Sequence, residues 1–206
     1  VLSTGLGNVA TIPSGTFVVF GCSSGGTENV VSGPYYRPDL VVTDYGYGPG
    51  PELVAECVQS GIPTIFVKVA TNAVGTKTAV THTGTGTSVM TATGDPFDQY
   101  DILVTPVRAG VAGSDPEPGF TISFDGGVTV TREIRMPANR IYTGFAATTG
   151  LTFNFTAATL VVDDTYELTT TEPTWAAVDV AEAIATMVAD RHEVGIGYVR
   201  GAATKS

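Results

Sequence analysis

The 206-residue chain carries 20 acidic residues against 10 Lys and Arg, a formal net charge of −10 and a sequence pI near 4.4. That balance argues against a nucleic-acid partner, because phosphate contacts need clustered Lys and Arg, and against an anionic membrane surface; no apolar run reaches the ~20 residues of a membrane span and no secretory leader is visible. With 43% hydrophobic but only 15% charged residues, against a usual ~25% charged, the composition suits a subunit whose surface is covered by neighbours.

Residues 1–14 are punctuated by Gly and Pro and read as an arm or edge segment. Thr16-Phe17-Val18-Val19-Phe20-Gly21 is a short, continuously apolar strand, the kind buried on both faces of a sheet. Residues 23–39 read as loop, marked by Gly25-Gly26, Pro34 and Pro38. Leu40-Val41-Val42 is a short strand by composition, and 46–50 is a Gly-Pro turn. Pro51 opens a helix at its first position, where a missing N–H costs nothing. Leu53, Val54, Cys57 and Val58 share one face of that helix, and Gly61 ends it. Residues 63–69 form the next strand. Residues 71–93, rich in Gly and Thr, read as a linker or exposed strand.

A block of short strands follows over residues 95–173. The strand at 100–107 comes first. Phe120, Ile122 and Phe124 then fall on one face of an alternating strand. Asp125-Gly126-Gly127 is a hairpin signal leading to a strand at 128–131. Further strands are expected at 134–136, 151–155, 160–162 and 166–168. Thr174 is placed as the N-cap of a helix running to Asp190, with Ala177, Val180, Ala181, Ile184, Met187 and Val188 on its apolar face. A strand at 194–199 closes the pattern. The expected fold class is therefore α+β. A small α/β layer (β-α-β, then α-β) at 1–72 and 172–206 is interrupted by an inserted antiparallel β-sandwich or barrel at 73–171. The core sheet is expected to combine 17–21, 65–69 and 194–199. Both chain ends, Val1 and the run to Ser206, read as cuts.

No motif reaches the specificity of a catalytic signature. Gly21-Cys22-Ser23-Ser24-Gly25 matches G-x-S-x-G, but residues 26–34 give no amphipathic helix behind it. The only histidines, His82 and His192, are far off in sequence. Gly46-Tyr47-Gly48-Pro49-Gly50 has neither dinucleotide nor P-loop spacing, and Pro49 and Pro51 remove backbone donors. Asp95, Asp98, Asp101 and the Asp163-Asp164 pair lack the spacing of a calcium loop and read as turn caps. Cys22 and Cys57 define no metal set or disulfide framework and read as buried thiols. Asn154-Phe155-Thr156 is a glycosylation sequon placed inside a strand. Tyr35, Tyr36, Tyr45, Tyr47 and Tyr142 are candidates for sugar stacking. The expectation is that the chain is not an enzyme and has no catalytic, cofactor or metal residues; a carbohydrate-binding or decoration module is the alternative.

Several stretches together resemble the sheath proteins of contractile phage tails and related injection systems. They are Gly5-Leu6-Gly7-Asn8-Val9 with Pro13-Ser14-Gly15; Gly46-Tyr47-Gly48-Pro49 with Glu52-Leu53 and Phe66-Val67-Lys68-Val69; Asp98-Gln99-Tyr100-Asp101 with residues 120–127; and Thr149-Gly150-Leu151 with Asp164-Thr165-Tyr166 and Pro173-Thr174-Trp175. The resemblance implies a structural protein of the virion, assembled in the host bacterial cytoplasm. Its partners would be copies of itself, in rings or a helical sheath, and a tail tube protein. It also implies a split α/β core with β domains facing outward. The family's C-terminal domain, which packs nearest the tube and exchanges strands with neighbours, has no counterpart here.

Overall fold

The computed structural model describes residues 16–190 and 194–204. The arm at 1–14, His192 and the final Lys205-Ser206 lie outside the described residues. The fold is mixed α+β and divides into two compact units: one takes the chain up to Ala73 and again from Thr174, the other is Val74–Pro173.

The first unit begins with β1 (Thr16–Gly21), β2 (Val31–Tyr35), α1 (Pro38–Tyr45), α2 (Pro49–Gln59) and β3 (Thr64–Lys68). Two sequence expectations are corrected here. Residues 23–39 are not all loop: they hold β2, which pairs antiparallel with β3. Leu40-Val41-Val42 lies inside α1 rather than in a strand. Pro38 sits in the first turn of that helix, and Val41 and Tyr45, one helical turn apart, are both buried. A three-residue apolar run fits either period, and here the helical one wins. α2 starts at Pro49, two residues earlier than expected, with Val54 and Val58 buried.

The second unit follows. Its strands are β4 (Thr81–Thr83), β5 (Met90–Thr93), β6 (Asp101–Arg108), β7 (Gly110–Val111), β8 (Gly119–Ser123), β9 (Ile134–Arg135) and β10 (Ile141–Tyr142); after the one-turn helix α3 (Ala146–Thr149) come β11 (Thr152–Phe155), β12 (Thr159–Leu160) and β13 (Thr165–Thr169). A five-stranded sheet, β4-β13-β6-β8-β9, and a three-stranded sheet, β10-β11-β5, supply a common core that includes Met90, Ile102, Val104, Phe120, Ile122, Phe153 and Tyr166. This is a sandwich-like arrangement, and no sheet closes into a barrel. Of the two readings of the Gly- and Thr-rich stretch at 71–93, linker or exposed strand, the second holds: the exposed β4 pairs with β13, and β5 with β11.

The strand expected at 128–131 does not form. The Asp125 carboxylate accepts the Thr129 amide (2.8 Å) and hydroxyl (2.6 Å) and the Ser123 hydroxyl (2.7 Å). These bonds wind the segment into a braced loop between β8 and β9. The same bonds, Thr129's first, hold the Asp125 carboxyl down at about 2. Because the folded value lies below the unfolded ~3.9, this contribution is complete above about pH 4 and is lost as pH falls toward 2. Unfolding midpoints in urea are therefore expected to fall with acidification across that window, and Asp125→Asn should flatten the slope. Equal slopes in the two proteins would show that the brace does not form.

The chain then returns to the first unit through β14 (Thr174–Trp175), α4 (Ala177–Ala189), β15 (Val194–Arg200) and β16 (Ala202–Ala203). Thr174 is not the helix N-cap. It sits in β14, paired with β16, and Asp179 Oδ2 instead accepts the Ala176 amide at 2.8 Å. The sheet order is β15-β1-β3-β2, with β1 parallel to both β15 and β3. The three apolar runs expected to share a sheet thus do so. One face packs Val19 and Phe66 against Val41, Tyr45, Val54 and Val58 of α1 and α2. The other packs Val18, Phe20, Ile65 and Val67 against Val180, Ala183 and Met187 of α4. This is the two-sided cover that parallel strands need.

Candidate functional site at the margin of the parallel sheet

The sequence candidates for chemistry are taken up by structure. Ser23 is buried and its hydroxyl donates to Gly25 O at 2.9 Å, inside its own turn. The next element after it is β2, not a helix, and His82 belongs to the other unit. Residues 45–50 are tied to the turn that follows β1: Ser24 N donates to Tyr47 O (2.8 Å), Gly25 N to Tyr45 O (2.9 Å) and Gly50 N to Cys22 O (3.2 Å). A side chain at Gly21 would come within 2.9 Å of the Gly50 Cα. Those glycines serve close packing of helix on strand, not a phosphate cradle.

Of the acidic candidates, Asp164 and Asp98 cap backbone amides, whereas Asp101 is the first residue of β6. Asp164 is buried and accepts the amides of Thr85 (3.0 Å) and Gly86 (2.8 Å), with His82 Nε2 at 3.3 Å. Burial alone would raise its carboxyl, but the two amides and His82 outweigh it and the net shift is downward. Asp98 Oδ1 accepts the Gln99 amide at 2.7 Å. Among the described residues no three His, Cys, Asp or Glu groups gather as metal ligands. Cys22 is buried and Cys57 only half-buried, and both remain thiols. The Asn154 side chain lies on β11 and donates to Thr93 Oγ1 at 3.2 Å.

Of the five candidate tyrosines only Tyr36 is largely exposed (68%), and Tyr47 is half-buried. Tyr35 and Tyr45 are buried, their hydroxyls on Asp44 (2.8 Å) and Ser32 (2.6 Å). Burial, then the Asp44 hydrogen bond, raises the Tyr35 phenol well above its ordinary value. Tyr142 packs edge-on against Phe120 and Phe145 of the second unit.

What the first unit does present is a bare apolar margin. Among the described residues β15 pairs only with β1 and stands at the end of the sheet. Its register places Ile196 beside Phe17 and Tyr198 beside Val19, on the face that α1 and α2 cover further in. Over β15 that cover stops: Ile196 is 64% exposed and Tyr198 51%. The result is a groove of about 390 Å³ lined by Phe17, Leu53 and Tyr198, with Glu52, Glu56 and Arg200 around it. On the opposite face, α4 buries only Val180, Ala183 and Met187 of its apolar residues. Ile184 and Val188, the latter 79% exposed, line a second groove with Phe20, Gly197 and Val199. Among the described residues, Ile196 and Tyr198 on one face and the hydrogen-bonding edge of β15 are thus open together, while Val199 on the other face is partly packed on the core.

No protein-family model matches the chain, and no curated protein matches it. Among solved structures, the chain is similar to a sheath tail protein from Desulfitobacterium hafniense. The identity is 18%, the TM-score 0.37, and the match covers 76% of this chain and 35% of that one. The chain therefore spans about a third of the length of that structure.

The sequence did not single out this margin. The run Val194-Gly195-Ile196-Gly197-Tyr198-Val199 reads only as a strand of the core sheet, with no sign of its place in the order. The available signal was the apolar face of α4, where Ala181, Ile184 and Val188 extend past what a single sheet face covers.

Proposed function

We propose that the chain is a structural subunit of a contractile tail sheath or a related injection system, with copies of itself and a tube protein as partners and no catalytic role. The bare margin around β15 carries this reading. An apolar edge strand without Lys or Pro invites pairing and aggregation in a free monomer. A subunit built into an array keeps such an edge because a neighbour covers it. The low charged fraction and the motif runs that resemble sheath proteins point the same way. Two rigid units of packed core suit a body that changes its contacts rather than its interior.

The test is electron microscopy of the protein expressed from its whole gene. Tubes or rings are expected. The double substitution Ile196→Asp, Tyr198→Asp should abolish them while leaving circular dichroism unchanged. Absence of any ordered assembly from the unaltered protein, or assembly undisturbed by the double substitution, would count against the reading.

A further inference from the structure

The chain has two histidines, and His82 is the one in the second unit. Histidine is the side chain whose charge ordinarily changes between about pH 5 and 8, so across that range the second unit has His82 to respond with. It lies on β4, which among the described residues pairs only with β13 and is exposed at all three positions. Its ring stacks on Tyr166 at 4.4 Å, the planes 8° apart, and its Nε2 lies 3.3 Å from Asp164 Oδ2. An ionised carboxylate only accepts, so Nε2 carries the proton of that bond and a second proton enters at Nδ1. The side chain keeps 27% of its surface open to water, which gives that proton a route. The same buried carboxylate accepts the Thr85 and Gly86 amides, and a side chain at Gly84 would run into it. One group thus holds both the histidine of β4 and the turn that follows it.

We propose that His82 is a proton-operated catch on the edge of the second unit: protonated, it holds β4 and the turn at 84–86 shut on Asp164 and Tyr166; neutral, it lets them open more often. The charged ring meets a buried carboxylate on its edge and an aromatic ring on its face, and both favour a cation. The unfolded chain offers it only water. The folded unit therefore takes up the proton more readily, so the catch tightens as pH falls and slackens as pH rises. The neighbours agree in sign. Residues 159–169 bring Asp163, Asp164, Tyr166 and Glu167 to this region, and the histidine's own segment, 78–93, has no other charged residue. Glu167 pairs in register with Thr81, on the opposite face of β13 from Tyr166. Among the described residues no Lys or Arg forms an ion pair with these carboxylates. An opened β4 bares backbone donors and acceptors to any neighbouring strand, so pH sets how available this edge is. The catch does not depend on the assembly reading above.

Amide hydrogen exchange of the 206-residue chain, read residue by residue by NMR at about pH 5.5 and about pH 8, tests it. After correction for the intrinsic pH dependence of exchange, the Thr85 and Gly86 amides should be protected about fivefold or more better at the lower pH. The amides of β6 and β8 should show a smaller difference, because the catch acts on the edge and not on the whole unit. His82→Phe keeps a ring over Tyr166 but takes up no proton, and His82→Gln keeps a donor for Asp164 without the charge. Either variant should erase the pH difference at Thr85 and Gly86. Equal protection at the two pH values in the parent would overturn the proposal. So would a pH difference that survives in a folded His82→Phe or His82→Gln chain, or one that is as large in β6 and β8 as at the edge.

Discussion

Tyr166→Ala is expected to remove about 3–5 kcal/mol from the unfolding free energy, enough to melt the β-rich unit at ordinary temperature given the narrow margin of most domains. Tyr166 is fully buried on β13. Its ring stacks on His82 at 4.4 Å, meets Phe155 edge-on at 6.0 Å, and sits in register with Val104 of β6. The side chain thus joins strands β4, β6 and β11. Its hydroxyl donates to Ser88 O at 2.9 Å. Burial, and then the nearby Asp164 charge, pushes the phenol up to about 12, so it stays a donor through the neutral range. Tyr166→Phe isolates that bond and should cost only about 1 kcal/mol, with one buried carbonyl left unsatisfied. Urea unfolding followed by far-ultraviolet circular dichroism distinguishes the two. Equal losses from Ala and Phe would mean that the ring packing contributes nothing, contrary to the geometry.

The fold was legible where one period dominated. Thr16–Gly21 and Thr64–Lys68 are continuous apolar runs, and they became buried neighbours in the parallel sheet. Phe120-Thr121-Ile122 alternates, and its apolar members face the core of the second unit. Legibility failed where side chains compete with the backbone. Val128-Thr129-Val130-Thr131 has strand composition, but Asp125 captures Thr129 and Thr131 captures Ile122, which leaves no run free to pair. At 71–93, Gly and Thr mask a strand: only Met90 and Ala92 alternate inward, opposite Phe155 and Phe153. Two residues are too few to show a period.

The margin around β15 was illegible for a different reason. Burial on both faces and exposure on both faces demand the same apolar residues when the cover belongs to another molecule. The run 194–199 looks the same in either case. Sheet order decides between them, and order depends on which crossover returns where. That information lies in the whole topology, not in the seven residues of the strand.

The close approach of α2 to the sheet gives the second large effect. Gly50→Ala would ordinarily stabilise a helix by up to about 1 kcal/mol. Here the added Cβ would lie 2.5 Å from Phe66 Cε2 and 3.1 Å from Cys22 O. Phe66 has no room to retreat: it is fully buried in β3, with Tyr45 edge-on at 4.7 Å. Overpacking of this kind costs about 1–3 kcal/mol, so the clash outweighs the propensity and the variant is expected to be less stable. Phe66→Leu alone should also destabilise, by opening space beside Tyr45. Together the two changes should cost less than their sum by about 1 kcal/mol, because the smaller side chain vacates the volume that the new methyl needs. Thermal unfolding of the four proteins measures that coupling. Strict additivity would mean that α2 rises off the sheet to admit the methyl, and that the contact between Gly50 and Phe66 does not set the height of the helix.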